Sequence, residues 1–534
     1  MTAADHTGPS DATQHWRLLR HPLLWIMLGY LALGLSLLRV FQFQINPDGV
    51  AYLDIAEKYA RGNLCGAVNA YWSPLLSWLT TVLRLVGLPP QIAVKLVLLG
   101  SGAAALGGLW RLTHDLPTWM RTVAVTATVP MTLHFALSVI TPDLLVAEAL
   151  VWYVFVLIKN DASPPGWWYG LRAGTIGAVA YMAKAFALPF FLAHWTVWCV
   201  LEGRYRRLSM AAFVGGLAAF CVLGGLWVAA LRWKYGVWMT GSAGRYNWAW
   251  SGPRMSFVHP TETAFFAPFE PGDTSAWTDP TRLPIQSWSV LESAEFAHYQ
   301  VAMTLERLRA IGFSYLPEFF LPTLPLLLVA AGVAWRQSET ETGRRCRAAL
   351  SAFVVYVAGY ALIYVEARHL WTLAYWLCAM LAWLSAWGMR RYSRKLWAAA
   401  FILCSALFVW QPAWALWKAA QGKDEGLQVC RALYRTAQVL RERFGVQGKL
   451  ASNAEWHYSL YLAYFLGGRY YGVAPVDATP NAVARALDAY QVDYYLVWSD
   501  ETGRFPTVVW GTEITGGDPH LRLYRAASGS GASH

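Results

Sequence analysis

Long apolar runs, separated by short polar loops, dominate the chain up to Trp417. A helix needs about 20 mostly apolar residues to cross a bilayer core roughly 30 Å thick. The pattern therefore predicts a polytopic α-helical membrane protein with about eleven transmembrane helices. Their expected bounds are Pro22–Phe41, Gln91–Trp110, Trp119–Ser138, Leu144–Ile158, Trp168–Ala183, Ala185–Leu201, Leu208–Leu231, Leu316–Ala334, Ala348–Val365, Leu370–Met389 and Leu396–Trp417.

The apolar run Pro74–Leu88 is short for a span, and Pro89-Pro90 ends it. We predict that it lies in the membrane interface as an amphipathic helix. Basic loops such as Arg204–Arg207 and Arg344–Arg347 then share one side of the membrane, as the positive-inside rule requires. If this run crossed the membrane, nearly all of the basic loops would lie outside. The N-terminus is therefore expected in the cytoplasm.

Polar stretches divide the chain into three predicted parts. Residues 1–16 are expected to form a disordered cytoplasmic tail. Residues 17–417 form the membrane domain, with external loops at about 42–90 and 232–312. Residues 418–534 alternate helical and strand patterns and are expected to fold as a small soluble α/β domain outside the membrane. The first apolar run is long enough to remain as an anchor, so no cleaved signal peptide is expected.

Composition supports a membrane protein, because 56% of residues are hydrophobic and only 14% are charged, against about 25% charged in soluble domains. The net charge of +11 is explained by the basic loops, so nucleic-acid binding is not predicted. Of seven cysteines, Cys65 and Cys430 are expected on the external side, and a disulfide between them stays open.

Ionisable residues from distant parts of the sequence are predicted to meet at the outer membrane face. Such groups cost free energy near a bilayer, so their convergence is the strongest functional signal in the chain. Each also has a structural explanation, such as a helix cap, a lysine reaching the interface or a plain ion pair. The residues are Asp48, Asp54, Lys95, Asp143, Lys184, Glu366, Arg368 and His369.

Most of these residues stand in five short motifs, in the order Asn46-Pro47-Asp48-Gly49, Ser73-Pro74-Leu75, Thr141-Pro142-Asp143, Tyr181-Met182-Ala183-Lys184 and Glu366-Ala367-Arg368-His369. This order resembles that of the GT-C superfamily of membrane glycosyltransferases, which includes protein O-mannosyltransferases, aminoarabinose transferases and Rgt-like enzymes. The resemblance covers roughly the first 370 residues. Two departures, at Gly49 and at Ser73, argue against the mannosyl- and aminoarabinosyl-transferring branches.

The resemblance implies an inverting glycosyltransferase at the outer face of the bacterial cytoplasmic membrane. A sugar would pass from a polyprenyl-phosphate donor to an acceptor hydroxyl, with Asp48 and Asp143 as catalytic residues and Asp48 as the base. The candidates for binding the donor phosphate are Lys184, Arg368, His369, Lys95 and Arg245. The candidates for binding the sugar or the acceptor are Tyr52, Asp54, Tyr71, Trp72 and Glu366.

No cofactor is assigned, although a divalent cation stays open, with Asp48 and Asp143 as its ligands if one binds. The expected partners are the lipid-linked sugar, a lipid, glycan or protein acceptor, and membrane lipids. The main alternative is a polyprenyl-lipid or small-solute transporter or flippase; a third is a non-catalytic assembly protein. Transporters often have internal repeats and charges at mid-membrane, whereas here no repeat is seen and the charges lie at one face.

Overall fold

The structure, a computed structural model, describes residues 21–159, 166–206, 209–515 and 520–527. The predicted disordered tail, residues 1–16, lies outside the described residues. The helices α1–α21 are, in chain order, Pro22–Phe41, Pro47–Ala60, Leu64–Ala67, Leu75–Leu85, Pro90–Leu112, Thr118–Ser138, Asp143–Ile158, Trp167–Ala183, Ala187–Arg206, Met210–Tyr235, Ala243–Trp250, Pro260–Thr263, Ala294–Ala310, Leu316–Phe319, Thr323–Arg336, Glu341–Ile363, Trp371–Arg391, Arg394–Ala420, Glu425–Phe444, Trp456–Leu466 and Pro480–Ala489.

Six helical segments of the described chain are long and apolar enough to cross a membrane. The chain is therefore a multi-pass membrane protein, but the predicted count of about eleven spans is not confirmed. Helices α7 and α8 have 16 and 17 residues, fewer than the about 20 that a perpendicular span needs. The six are α1, α5, α10, α16, α17 with the turn before it, and α18 continued into α19.

The predicted span Leu316–Ala334 is wrong as one continuous helix. The helical segments Ala294–Glu318 and Thr323–Arg336 meet at an angle of 104°. Phe320 leaves the helical conformation, with φ −158° and ψ 100°, and Pro322 follows it. Proline lacks the N–H that would continue the helix, which accounts for the break.

Helix α4 forms where an interfacial helix is predicted. Its 11 residues span only about 16 Å at 1.5 Å per residue, too little to cross a bilayer. One face, with Leu76 and Thr80, is buried, while Val82 and Leu85 on the other face are more than half exposed. This two-sided character is that of a helix lying along a membrane surface.

The membrane helices pack around α17, whose side chains are buried on all sides. Two neighbouring helices approach each other so closely that only glycine fits. A Cβ atom at Gly170 in α8 would lie 2.0 Å from the Ala212 carbonyl oxygen of α10, and one at Gly174 would lie 2.1 Å from the Gly216 oxygen. Small residues at such positions let helix backbones make extensive van der Waals contact in a membrane.

The C-terminal part contains a five-stranded mixed sheet in the order β2-β1-β3-β5-β4. Strands β2, β1 and β3 run parallel, and β5 pairs antiparallel with both β3 and β4. Helix α20 connects β1 to β2 and lies against the membrane-domain helix α2. The strands β1–β5 are Lys449–Ser452, Arg469–Val473, Tyr494–Trp498, Thr512–Glu513 and Leu521–Arg525.

Thiol labelling tests the position of α4. Cysteines replacing Leu75 and Val86, one at each end, are introduced into a chain in which the exposed Cys65 and Cys221 are serine. An impermeant reagent applied to sealed membranes is expected to reach both cysteines from the same side. Labelling from opposite sides would show that α4 crosses the membrane.

Candidate active site

A cavity of about 740 Å³ opens at one end of the helix bundle. Its walls come from the start of α2, helix α11, the turn between α16 and α17, and the start of α20. Sequence-distant residues therefore meet, as the motif analysis predicted, although their individual roles stay predictions. The predicted site residues that line this cavity are Asp48, Tyr52, Tyr71, Trp72, Lys184, Arg245, Glu366, Arg368 and His369.

Asp48 stands in the first turn of α2, directed into the cavity. Pro47 occupies the first helical position, where its missing N–H costs nothing. The preceding Asn46 side chain accepts a hydrogen bond of 3.0 Å from the N–H of Ile140, which fixes the start of the helix against the end of α6. Asp48 Oδ2 lies 2.7 Å from an Arg368 Nη atom, and the Trp277 indole N–H donates to Oδ1 at 3.2 Å. Its carboxylate is thus held in a fixed orientation.

Arg368 is shared between two carboxylates. Its Nε donates to Glu366 at 2.6 Å while Nη2 contacts Asp48. The Tyr364 hydroxyl donates to the other oxygen of Glu366, also at 2.6 Å. His369 Nδ1 accepts the Glu366 N–H and its ring stacks on Tyr360 at 4.8 Å. The motif Glu366–His369 is therefore a compact turn that presents one guanidinium to Asp48.

A second ion pair lies beside Tyr360, the ring that stacks on His369, with Lys184 Nζ 5.7 Å from the ring centre. Lys184 Nζ is 2.6 Å from Asp143 Oδ1, and the Thr141 hydroxyl donates to Oδ2. Asp143 is buried, whereas Lys184 is about one quarter exposed and lines the cavity. Asp143 begins α7 and reaches the cavity only through Lys184. Asp143 thus holds Lys184 at the cavity wall, and its catalytic role stays a prediction.

Aromatic side chains form the part of the cavity wall that lies between the two ion pairs and the long loop. Asn69 Oδ1 accepts the N–H groups of Tyr71 and Trp72 at 2.9 and 3.0 Å, which sets the bend that turns both rings inward. Trp72 packs edge-on against Tyr52 and against Trp277, at 5.1 and 5.6 Å between ring centres. Flat apolar rings with polar edges are suited to contact the faces of a sugar.

A segment of the long loop, residues 273–278, runs antiparallel along α2 and is fastened to it at three points. We call it the strap. Asp273 pairs with Lys58, Thr274 and Thr278 bond to Asp54, and Trp277 donates to Asp48. On its other side the strap bonds to β2, where the Thr274 oxygen accepts the Tyr470 N–H at 2.6 Å. The strap therefore links α2 to the C-terminal sheet.

Asp54 does not line the cavity, contrary to its predicted role in sugar or acceptor binding. Six residues along a helix correspond to a rotation of about 240°, so Asp54 faces away from Asp48, whereas Tyr52 faces nearly the same way. Its oxygens accept hydrogen bonds of 2.7 and 2.8 Å from Thr274 and of 2.8 Å from the Thr278 hydroxyl. Burial nevertheless raises its pKa to about 7, the hydrogen bonds opposing this shift.

Lys95 is also not at the cavity, which corrects its predicted role in phosphate binding. Its side chain is fully buried in the bundle and donates to the Leu137 carbonyl oxygen at 2.7 Å. The last carbonyls of a helix have no partner within the helix and attract cations. Lys95 thus provides a hydrogen-bond donor and a positive charge for the carbonyl groups at the C-terminal end of α6.

Several residues that line the cavity are not among the predicted site residues, namely Trp277, His259, Trp456 and His457. His259 has Nδ1 bonded to Thr261 and Nε2 3.4 Å from the Tyr246 hydroxyl, and burial lowers its pKa to about 4. His457 is exposed to the cavity; burial lowers its pKa and the charge of Asp48 raises it. No local motif marks these residues, because the long loop and α20 reach the site through tertiary packing.

The residues around Asp48 do not fit a dedicated metal site. Asp48 and Asp143, the ligands considered for a divalent cation, are paired with Arg368 and Lys184. Within the described ranges, no group of three or more His, Cys, Asp or Glu side chains is placed to hold a metal ion. We derive no chemical step through a metal. The disulfide considered for Cys65 and Cys430 is not formed, since both thiols are free and only Cys430 is buried.

Comparison with solved structures identifies the architecture. ArnT from Cupriavidus metallidurans bound to undecaprenyl phosphate superposes with a TM-score of 0.55 and 14% sequence identity, covering 96% of this chain and 99% of ArnT. The apo oligosaccharyltransferase of Archaeoglobus fulgidus gives a TM-score of 0.50 and 11% identity, covering 90% of this chain and 70% of that one. The chain has the GT-C fold.

The resemblance seen in the motifs is thereby confirmed at the level of fold. The apo form of the same ArnT also matches, with a TM-score of 0.53 and 13% identity. No protein-family model matches the sequence, and no curated protein matches it significantly. Residue roles within this GT-C fold therefore rest on the geometry described above.

Substitution of Asp54 tests the strap. Asp54→Ala removes the hydrogen bonds and leaves the Thr274 N–H buried without a partner, so we expect a loss of about 2 kcal/mol. Asp54→Asn can satisfy the same groups without a charge and is expected to fold normally. Thermal unfolding in detergent measures both variants.

The raised pKa of Asp54 also predicts a pH dependence. The folded protein binds this proton more tightly than the unfolded chain, so its stabilising effect is complete below about pH 4 and is lost as the pH rises through about 7. We expect wild type to lose stability relative to Asp54→Asn across that window. A constant difference between the two from pH 4 to pH 8 would contradict a buried, titrating Asp54.

Proposed function

We propose that this chain is an inverting glycosyltransferase that uses a polyprenyl-phosphate-linked sugar and acts at the outer face of a bacterial cytoplasmic membrane. The observation that carries the proposal is a carboxylate, Asp48, fixed in a cavity that also contains Lys184, Arg245 and Arg368. A base and several cations within one cavity suit the departure of a phosphate from a sugar carbon. ArnT, of the same fold, is bound to undecaprenyl phosphate, which supports a donor of this class.

The basic side chains of the cavity differ in whether they already form an ion pair. Lys184 is paired with Asp143, and Arg368 with Asp48 and Glu366. Arg245 is exposed at the cavity and, among the described residues, has no ion-pair partner. Arg245 is therefore the first candidate to contact an entering phosphate. Lys184 and Arg368 would add further positive charge around that phosphate.

Donor binding would free the base. An Arg368 Nη atom contacts Asp48 Oδ2 at 2.7 Å. A phosphate that binds Arg368 competes for the same guanidinium and weakens that ion pair, which leaves the carboxylate oxygen available to the acceptor hydroxyl. Asp48 then takes the acceptor hydroxyl proton, the acceptor oxygen bonds to the anomeric carbon, and the carbon–oxygen bond to phosphate breaks with its electron pair going to polyprenyl phosphate.

The side chains of the wall support different parts of the cavity for the two substrates. Phe186, Leu188 and Ile363 are apolar, line the cavity together with Lys184 and suit a lipid tail. A second side, where the C-terminal helix α20 contributes Trp456 and His457, adjoins His259 of the long loop. We assign this second side to the acceptor, because attack that inverts the anomeric carbon must come from the face opposite the leaving phosphate.

Asp48→Asn tests the base. The amide keeps the size of the side chain and cannot accept the proton, so we expect the turnover rate to fall by roughly 10²–10⁴-fold. The assay uses purified protein with a panel of polyprenyl-phosphate sugars, and lipid binding should persist. Asp477→Asn, an exposed aspartate distant in sequence from every site residue, is the matched control.

The same assay separates the alternatives. Near-normal turnover by Asp48→Asn would exclude Asp48 as the base. Movement of lipid or solute across reconstituted vesicles, without sugar transfer by wild type, would favour the transporter or flippase instead.

Arg245→Ala tests the donor side. Because Arg245 is exposed and forms no ion pair with any described residue, the variant should fold normally. Loss of one phosphate contact is expected to raise the KM for donor about ten-fold, with a smaller effect on the KM for acceptor. Arg435→Ala, another exposed arginine, is the control, and an unchanged KM for donor would remove Arg245 from the donor site.

A further inference from the structure

A second cavity, of about 640 Å³, lies on the other side of α2 from Asp48. Its walls are the last turns of α2, the end of α4, the strap with the two residues before it, and the turn between α20 and β2. Glu57 on its wall follows Asp48 by nine residues, which is about 14 Å along the helix axis. None of the steps proposed above uses this cavity.

The second cavity has an excess of positive charge. Glu57 forms ion pairs with both Arg61 and Arg84, with N–O distances of 2.9 to 3.0 Å. Lys58 is neutralised by Asp273. Three of the four basic side chains on the wall thus share two acidic partners.

Arg469 adds a cation without a counterion. Its Nη2 donates to the Pro268 carbonyl oxygen at 2.9 Å, but no carboxylate among the described residues pairs with it. Its Nε is buried and has no hydrogen-bond partner. The end of α20 at Gly467 contributes a partial negative charge of about half a unit, which is less than the unpaired guanidinium.

The only other acid on the wall, Asp54, adds little negative charge. It is turned toward the strap and bonded to Thr274 and Thr278, and burial raises its pKa to about 7. Near neutral pH it is therefore only partly ionised. The cavity is suited to an anion.

The position of α4 indicates where that anion comes from. Arg84 lies near the end of α4, next to Val82, Leu85 and Val86, which are 60%, 68% and 72% exposed. Pro90, also on the wall, begins the membrane-spanning helix α5. An amphipathic helix in the interface holds its polar side at the depth of lipid headgroups and its apolar side toward the acyl chains.

We propose that the second cavity binds the phosphate of an anionic membrane lipid headgroup, through Arg469 and Arg61, with the lipid's acyl chains lying against the exposed face of α4. Arginine suits this role because its planar fork donates two parallel hydrogen bonds to a phosphate. The site is separate from the donor cavity and does not depend on the proposed transferase reaction.

Native mass spectrometry of the full-length protein in neutral detergent tests this proposal without an activity assay. Phosphatidylglycerol is offered against phosphatidylcholine, and inorganic phosphate and glycerol 3-phosphate are offered separately. Wild type is expected to retain phosphatidylglycerol about ten-fold better than phosphatidylcholine. The soluble phosphates should bind weakly, because they lack acyl chains.

Variants then assign the lipid to this cavity. Arg61→Ala, at a side chain 71% exposed, is expected to fold normally and to reduce the preference for phosphatidylglycerol, and adding Arg469→Gln should abolish it. Arg435→Ala and Arg245→Ala, outside this cavity, should retain the preference.

Two results would overturn the proposal. A preference that survives in the folded double variant, or that is lost in Arg245→Ala, would place the lipid elsewhere. Equal binding of the soluble phosphates and the lipid would show a site for free anions.

Discussion

The hydrogen bonds between Asp54 and the strap hold together the segments of the chain that form the cavity around Asp48. They fasten the long loop to α2, and the same strap bonds to β2 of the C-terminal sheet. Trp277, carried by the strap, then bonds to Asp48. Asp54, which takes no part in the proposed reaction, thus helps to fix the orientation of Asp48, the proposed base. Burying the charged form of Asp54 costs free energy, and the hydrogen bonds offset only part of that cost.

Helix α2 contributes side chains to both cavities, because residues at different positions along it point in different directions. At one end, Asp48 and Tyr52 face the cavity of the proposed reaction; farther along, Glu57 and Lys58 face the second cavity. Both cavities are also lined by residues of the strap, Trp277 in the first and Asp273 with Thr274 in the second. The GT-C fold supplies the membrane frame, and this one helix carries side chains of both sites.

Much of this was predictable from the sequence, for a physical reason. Apolar runs and turn residues act locally, so the helices of the bundle apart from the one broken at Phe320, the interfacial helix and the alternation of helices and strands in the C-terminal domain were predicted. Helix α2 was missed because its polar residues resemble a loop, although Asn46-Pro47 is a helix-start signal. Without that helix, Asp54 could not be assigned to the opposite face from Asp48. Trp277 and His457 depend on long-range docking, which no local pattern encodes.

The strap also has a consequence for how the protein is made. Chains emerge from the ribosome N-terminus first, so Asp48 is synthesised long before Trp277, Arg368 and His457. A nascent chain therefore exposes its acidic helix α2 without the arginine and indole that orient it. The contact of the strap with β2, from the Tyr470 N–H to the Thr274 oxygen, can form only after the C-terminal domain has been made. If the proposed reaction takes place in this cavity, chains truncated before β2 are expected to be inactive.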